Sequence, residues 1–133
     1  MDKWEQLLLR AKNDLITAKK GLIKPKTLDT SAYHCQQCAE KSMKAYLNYK
    51  GIDTEDRKLR THNLLMLLKA CISENQEFEK MKKACGILNP NDTLYRYFNN
   101  NQVMPEEDEV VELIELAETL YEFVIRLTNK KDF

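Results

Sequence analysis

Apolar residues recur at steps of three and four along several stretches of this chain, a spacing that predicts amphipathic helices. The first apolar stripe consists of Trp4, Leu8, Ala11, Leu15, Ala18 and Leu22. Asp2 precedes the stripe as a predicted N-cap, and Gly21 together with Pro25 ends the helix. Asp14 is interspersed with the apolar positions, and we expect it to face outward with the lysines of this segment.

A second helix is predicted after a loop over residues 24–30, with Asp29 or Thr30 as its N-cap and its end near Lys50. Its apolar stripe consists of Ala32, Cys35, Ala39, Met43, Tyr46 and Leu47. The small residues of this stripe allow another helix to approach closely. Residues 52–61 are polar, show no periodicity and are predicted to form an exposed loop.

Two shorter helical segments are predicted in the middle of the chain. Thr61 is the predicted cap of a third helix, whose inward face consists of Leu64, Leu65, Leu68, Cys71 and Ile72. A weaker helix over residues 77–85 ends at Gly86. Residues 88–105 are irregular in sequence and contain turn-forming residues, so we expect function to concentrate there.

The last predicted helix begins near Pro105 and ends near Asn129. Its apolar face consists of Val110, Leu113, Ile114, Ala117, Leu120, Tyr121, Val124 and Leu127. Together these segments predict an all-α fold, an up-and-down bundle of four to five helices in a single domain over residues 1–133. The three Gly and three Pro are too few for the turns of a β-sandwich or barrel.

Charge is balanced overall but not along the chain. The 21 basic and 21 acidic side chains cancel, so bulk charge does not indicate a nucleic-acid-binding protein. Residues 1–60 nevertheless carry a net charge of +5 and residues 61–133 a net charge of −5. Most of the acids of this second half lie together: Glu106, Glu107, Asp108, Glu109, Glu112, Glu115, Glu118 and Glu122. This block is either a solvated helix face or a surface that steers a basic partner.

The sequence favours a cytoplasmic location without membrane contact. Its first residues lack the apolar stretch of a signal peptide, and no apolar run approaches the ~20 residues of a membrane span. Four cysteines lie in helical segments, where reduced thiols pack as small hydrophobic groups. These are Cys35, Cys38, Cys71 and Cys85. We therefore expect buried structural cysteines, with no metal site and no cofactor.

Two basic clusters are candidates for phosphate contacts. Lys41 and Lys44 share a face of the second helix, which is either a solvated face supported by the Glu40–Lys44 pair or a phosphate-binding surface. Arg60 and His62, with two further cations at residues 57–58, precede the third helix. Free N–H groups and cations coincide at such a helix start, which predicts an anion site. His62 either donates to a phosphate or is bonded to a neighbouring carbonyl.

A third cluster, Tyr95, Arg96, Tyr97 and Phe98, places one cation among aromatic rings. Arg can bind phosphate in a bidentate manner, and aromatic rings can stack on bases. Alternatively, the rings hold the segment against the bundle while Arg96 pairs with an acid. The residues by themselves leave these two interpretations open.

Three segments, YHCQQCAEKSMKAYL (33–47), THNL (61–64) and LYRY (94–97), occur in the order found in a known family. They resemble the pattern QQAAEKALKAYL, THDL and RYP of the HEPN domain family (higher eukaryotes and prokaryotes nucleotide-binding). The resemblance spans nearly the whole chain and implies a helical bundle that forms a homodimer. It is to the prokaryotic stand-alone type, which implies a small nucleotidyltransferase partner in a two-component or toxin–antitoxin system.

Nuclease members of this superfamily carry an R-x(4–6)-H motif, whose Arg corresponds to Arg96. Asn101, Gln102 and Val103 occupy the positions where the His should stand, so the resemblance implies no catalytic residue here. The predicted function is a non-catalytic nucleotide- or RNA-binding and assembly module. Its predicted binding residues are Arg96, Tyr97, Lys41, Lys44, Arg60 and His62. Two alternatives remain: a metal-independent ribonuclease toxin that uses His62, and a structural module that docks a basic partner on its acidic last helix.

Overall fold

The computed structural model describes residues 1–89 and 104–130 of the chain, and all regular secondary structure in those ranges is helical. Its five α-helices are α1 (Lys3–Lys20), α2 (Leu28–Tyr49), α3 (Leu64–Glu74), α4 (Lys82–Leu88) and α5 (Glu107–Thr128). A 3₁₀ helix over Gln76–Met81 lies between α3 and α4. The predicted all-α bundle is confirmed for this part of the chain. No helix in it is long and apolar enough to cross a membrane.

Helices α1 and α2 pack against each other in opposite directions. The ring of Trp4, at the start of α1, lies 5.1 Å from the ring of Tyr49, at the end of α2. At the other end of the pair, the Ser31 hydroxyl donates to the carbonyl of Ala18 at 2.7 Å. The small residues between these ends are fully buried, as the stripes predict: Ala11, Ala32, Cys35 and Ala39.

Helix α5 runs antiparallel to α1 and completes the core. Lys130, just beyond α5, pairs with Glu5 at 2.7 Å, and Glu118 pairs with Lys19 at 2.7 Å. The centre of the core is aromatic. The fully buried Phe78 ring lies 4.8 Å from the ring of Tyr46 and 4.9 Å from that of Phe123. Phe123 is absent from the apolar face that the sequence predicts for this helix.

Two predicted helix starts are wrong. Helix α2 begins at Leu28, before Asp29 and Thr30, because the carbonyl of Thr27 already accepts the N–H of Ser31 at 3.0 Å. Helix α3 is capped by Asn63 and not by Thr61. The Asn63 side chain accepts the N–H groups of residues 65 and 66 at 3.0 and 3.4 Å, which satisfies donors that the helix itself leaves unpaired.

Two details of the middle segments also differ from the prediction. Leu65 is 44% exposed, and the fully buried Leu67 takes its place on the inward face of α3. Gly86 does not end its helix, because α4 continues to Leu88. The tertiary packing of α3 and α4 determines which leucine of α3 faces inward and where α4 ends, and the local sequence pattern does not indicate this packing.

The four cysteines are free and buried, as predicted. Burial raises the pKa of the Cys35 and Cys85 thiols from 9.0 to about 12, and raises the pKa of Cys38 and Cys71 as well. The thiolate is the reactive form, so these thiols are inert in the native chain. At pH 8 we expect no reaction of the folded protein with Ellman's reagent, and four reactive thiols in denaturant.

The same shifts predict a loss of stability in alkali. Above about pH 9 the thiols of the unfolded chain ionise while those of the folded chain stay protonated, so proton release lowers the free energy of the unfolded state. The free energy of unfolding is therefore unaffected by the thiols below this pH and decreases above it. Urea unfolding with reductant at pH 7 and pH 9.5 measures this decrease in the free energy of unfolding. Rapid reaction of the native thiols with Ellman's reagent would contradict their burial.

Candidate nucleic-acid interface

The connection between α2 and α3 carries a group of exposed cations, which we call the basic loop (residues 57–62). Arg57, Lys58 and Arg60 are exposed. The N–H groups of Leu59 and Arg60 donate to the carbonyl of Asp56, both at 2.9 Å, and fix the turn that holds the cations. The cations have no carboxylate partner in the described parts of the chain.

Three acids precede the basic loop, and each has a partner of its own. Glu55 pairs with Lys3 of α1 at 3.5 Å. Asp53 accepts the N–H of Glu55 at 2.9 Å, and Asp56 accepts that of Lys58 at 3.2 Å. These acids hold the loop in shape and leave the cationic side chains directed to solvent.

His62, the last residue of the basic loop, is held by a buried carboxylate of α2. Its Nδ1 lies 2.8 Å from Oε1 of Glu40, whose other oxygen accepts Nζ of Lys44 at 2.9 Å. Glu40 is 6% exposed, whereas the His62 ring is 78% exposed. The i,i+4 pair of Glu40 and Lys44 is present, but the solvated face that it was expected to support is wrong here, since the two side chains are only 8% and 15% exposed. The long-range contact with His62 is not visible in the sequence.

A second buried carboxylate joins α1 to α2. Asp14 accepts Nδ1 of His34 and Nζ of Lys41, both at 2.7 Å. The prediction that Asp14 faces outward is wrong, since the residue is only 6% exposed. The two donors replace the water that an isolated carboxylate would need. Asp14 is three residues after Ala11 and four before Ala18, so its place on the buried stripe was the available signal.

The sequence predicts an anion site at the start of α3 in which free N–H groups of the helix take part, and the structure does not support this role of the N–H groups. Asn63 takes the N–H groups of residues 65 and 66, and Oδ1 of Asn89 accepts the N–H of Leu64 at 3.2 Å. The first donors of the helix are therefore occupied. The groups that remain for an anion at this point are the exposed cations of the basic loop, Arg57, Lys58 and Arg60.

The structure distributes the six predicted binding residues unequally. Arg60 and His62 lie together on the basic loop, whereas Lys41 and Lys44 each have a carboxylate partner. Arg96 and Tyr97 lie outside the described residues. The preceding segment ends at Asn89, which donates to Asn63 at 3.4 Å and so lies beside the basic loop.

Gln36 is a further polar residue whose burial the sequence does not predict. It precedes Glu40 by one helical turn and is 1% exposed. Both atoms of its carboxamide have no hydrogen-bond partner within the described ranges.

The acidic face of α5 is partly neutralised. Glu107 pairs with Lys26, and Glu118 pairs with Lys19 at 2.7 Å. The exposed acids of the helix without a cationic partner among the residues that the structure describes include Glu112, Glu115 and Glu122. Both predicted interpretations of the acidic block, a solvated face and a steering surface, are compatible with this arrangement.

Comparison with known families shows that residues 4–130 match a model of the HEPN domain. The match extends from the first turn of α1 to beyond the end of α5. It includes the three segments on which the resemblance rests, residues 33–47, 61–64 and 94–97. Neither the curated proteins nor the solved structures gave a match.

Proposed function

We propose, from the premise that this chain belongs to the HEPN domain family, that it is a nucleotide- or RNA-binding and assembly module without catalytic activity of its own. The family indicates a role connected with nucleotides or RNA. The observation that carries the proposal is the basic loop, where three exposed cations without carboxylate partners in the described ranges adjoin an exposed imidazole.

The chemistry of the basic loop suits a phosphate backbone. The guanidinium of Arg60 offers paired donors to phosphate oxygens, and Arg57 and Lys58 add positive charge that attracts the strand. Lys41 and Lys44 contribute to the site only indirectly, because Asp14 and Glu40 already offset their positive charge. Arg96 and Tyr97 complete the proposed site as a further phosphate contact and a stacking ring.

A homodimer and a small nucleotidyltransferase partner are further parts of the proposal. They are supported by the resemblance of the chain to stand-alone prokaryotic members of the family. The unpaired acids of α5, Glu112, Glu115 and Glu122, offer a surface of opposite charge to a basic partner, and charge complementarity of this kind favours association.

A second candidate function, a metal-independent ribonuclease, is favoured by one observation. Glu40 binds Nδ1 of His62 and leaves Nε2 on an exposed ring, which is the arrangement of a general base. The absence of His at residues 101–103 speaks against the motif of the nuclease members. We therefore expect binding without cleavage.

Titration of the purified chain with ATP, GTP and a short single-stranded RNA tests the proposal. We expect saturable binding, and Arg60→Ala should weaken RNA binding about two- to fivefold, the value of one exposed ion pair. Lys20→Ala, an exposed lysine at the far end of α1, is the matched control and should bind as the wild type does. Arg96→Ala tests the part of the site outside the described residues.

The same samples separate the two candidate functions. Labelled RNA should remain intact during the titration. Cleavage that disappears in His62→Ala supports the ribonuclease instead, and failure of all three ligands to bind contradicts the proposed module.

A further inference from the structure

The chemistry of His62 depends on which of its ring nitrogens carries the hydrogen. An ionised carboxylate only accepts hydrogen bonds. Because Nδ1 lies 2.8 Å from Oε1 of Glu40, Nδ1 is the donor. The neutral ring then has its lone pair on Nε2, which becomes a hydrogen-bond acceptor.

Lys44 balances the charge of Glu40, so a neutral His62 is sufficient as the second partner of this carboxylate. Its Nζ lies 2.9 Å from Oε2 of Glu40, and the two side chains are only 15% and 8% exposed. The negative charge of Glu40 is thus matched before His62 is considered. A neutral imidazole with its hydrogen on Nδ1 satisfies the contact with the carboxylate, and charge balance does not require an imidazolium.

An acceptor among cations suits a ribose better than a phosphate. Phosphate oxygens are themselves acceptors and are served by Arg57, Lys58 and Arg60. The 2′-hydroxyl of RNA can donate, and it is the group by which a protein distinguishes RNA from DNA. His62 follows Arg60 by two residues on the basic loop and exposes most of its ring. The inference places the ribose of a strand that is bound to the guanidinium beside Nε2.

We propose that His62 accepts a hydrogen bond from a ribose 2′-hydroxyl and thereby makes the basic loop selective for RNA over DNA. Glu40 is the positioning residue for this contact, since it orients the ring without touching the ligand. The inference rests on the proposed function, because it requires a nucleic-acid strand on the basic loop.

Three single strands of one sequence test the inference at pH 8: RNA, DNA with deoxyuridine in place of thymidine, and 2′-O-methyl RNA. The methylated strand keeps the 2′-oxygen but cannot donate. One hydrogen bond corresponds to an affinity difference of about three- to tenfold, so we expect RNA to bind more tightly than both other strands by this factor.

Variants assign the selectivity to its residues. His62→Ala, at an exposed side chain, should lower the affinity for RNA more than the affinity for DNA, so that the two affinities become similar. Arg60→Ala should weaken the binding of all three strands by a similar factor. Glu40→Gln, which keeps the size of the side chain, should reduce the preference for RNA without changing the affinity for DNA.

The tautomer of His62 can be measured in the free chain by ¹⁵N NMR of the imidazole. We expect the hydrogen on Nδ1, and a hydrogen on Nε2 alone overturns the inference. Equal affinities for RNA and DNA, or RNA-like binding of the 2′-O-methyl strand, also overturn it while the proposed function stands. Failure of every strand to bind overturns both.

Discussion

Replacing Asp14 with alanine is expected to lower the free energy of unfolding by about 2–4 kcal/mol, because the change leaves Lys41 without its buried counter-ion and His34 without its hydrogen-bond acceptor. The Asp14 side chain is 8% exposed, and those of Lys41 and His34 are 25% and 26% exposed. Neither of these two side chains can therefore recover full hydration in the folded state. Urea unfolding at pH 7, followed by circular dichroism, measures the loss.

Lys19→Ala is the matched control for this substitution. It removes the pair with Glu118, in which the two side chains are 49% and 39% exposed, so the expected loss is below about 1 kcal/mol. Asp14→Asn should fall between the two variants, since an amide still accepts one hydrogen bond. Equal stability of Asp14→Ala and Lys19→Ala contradicts the role assigned to the buried carboxylate.

Reversing the charge of the basic loop, with Arg57→Glu, Lys58→Glu and Arg60→Glu together, is expected to weaken RNA binding at low salt by about 100-fold or more. Three phosphate contacts are lost and repulsion replaces them. The dependence of the affinity on salt should change as well. For a single strand, the slope of log K against log salt concentration should become shallower by about 2, or roughly 0.7 per contact.

A second triple variant, Lys20→Glu, Lys24→Glu and Lys83→Glu, changes the net charge by the same amount at other exposed positions. Its affinity should fall only modestly and its salt slope should stay near that of the wild type. If the two triple variants lose affinity equally, the overall charge of the chain determines binding and the basic loop is not the site. The triple alanine variant of the loop checks that the acidic substitutions do not act through misfolding.

The sequence predicts the long helices well because their signal is local. The apolar stripe of α2 repeats over several turns, and every member of the stripe is buried in the structure. Asp14 was misplaced because its burial depends on His34 and Lys41, which another helix supplies. The predicted start of α3 was wrong for a similar reason. Asn63 and Asn89 form the cap together, and they lie far apart in the sequence.

The candidate site was predictable only in part. Arg60 and His62 stand out in the sequence as a basic group before a helix, and the structure places them on one exposed loop. The bond from His62 to Glu40 joins residues 22 positions apart, and no local pattern indicates it. The neutralisation of Lys41 and Lys44 likewise follows from the packing of the helices, which the spacing of charges alone does not specify.

The most direct test of the account is a map of the RNA-binding surface by NMR. Backbone amide shifts are recorded for the full chain as a short single-stranded RNA is added. The account predicts that the largest shift changes in the bundle occur at residues 57–62, including the side-chain resonances of Arg60 and His62, with little change along the outer face of α5. Saturable binding whose largest changes fall on α5, with the basic loop unaffected, would contradict it.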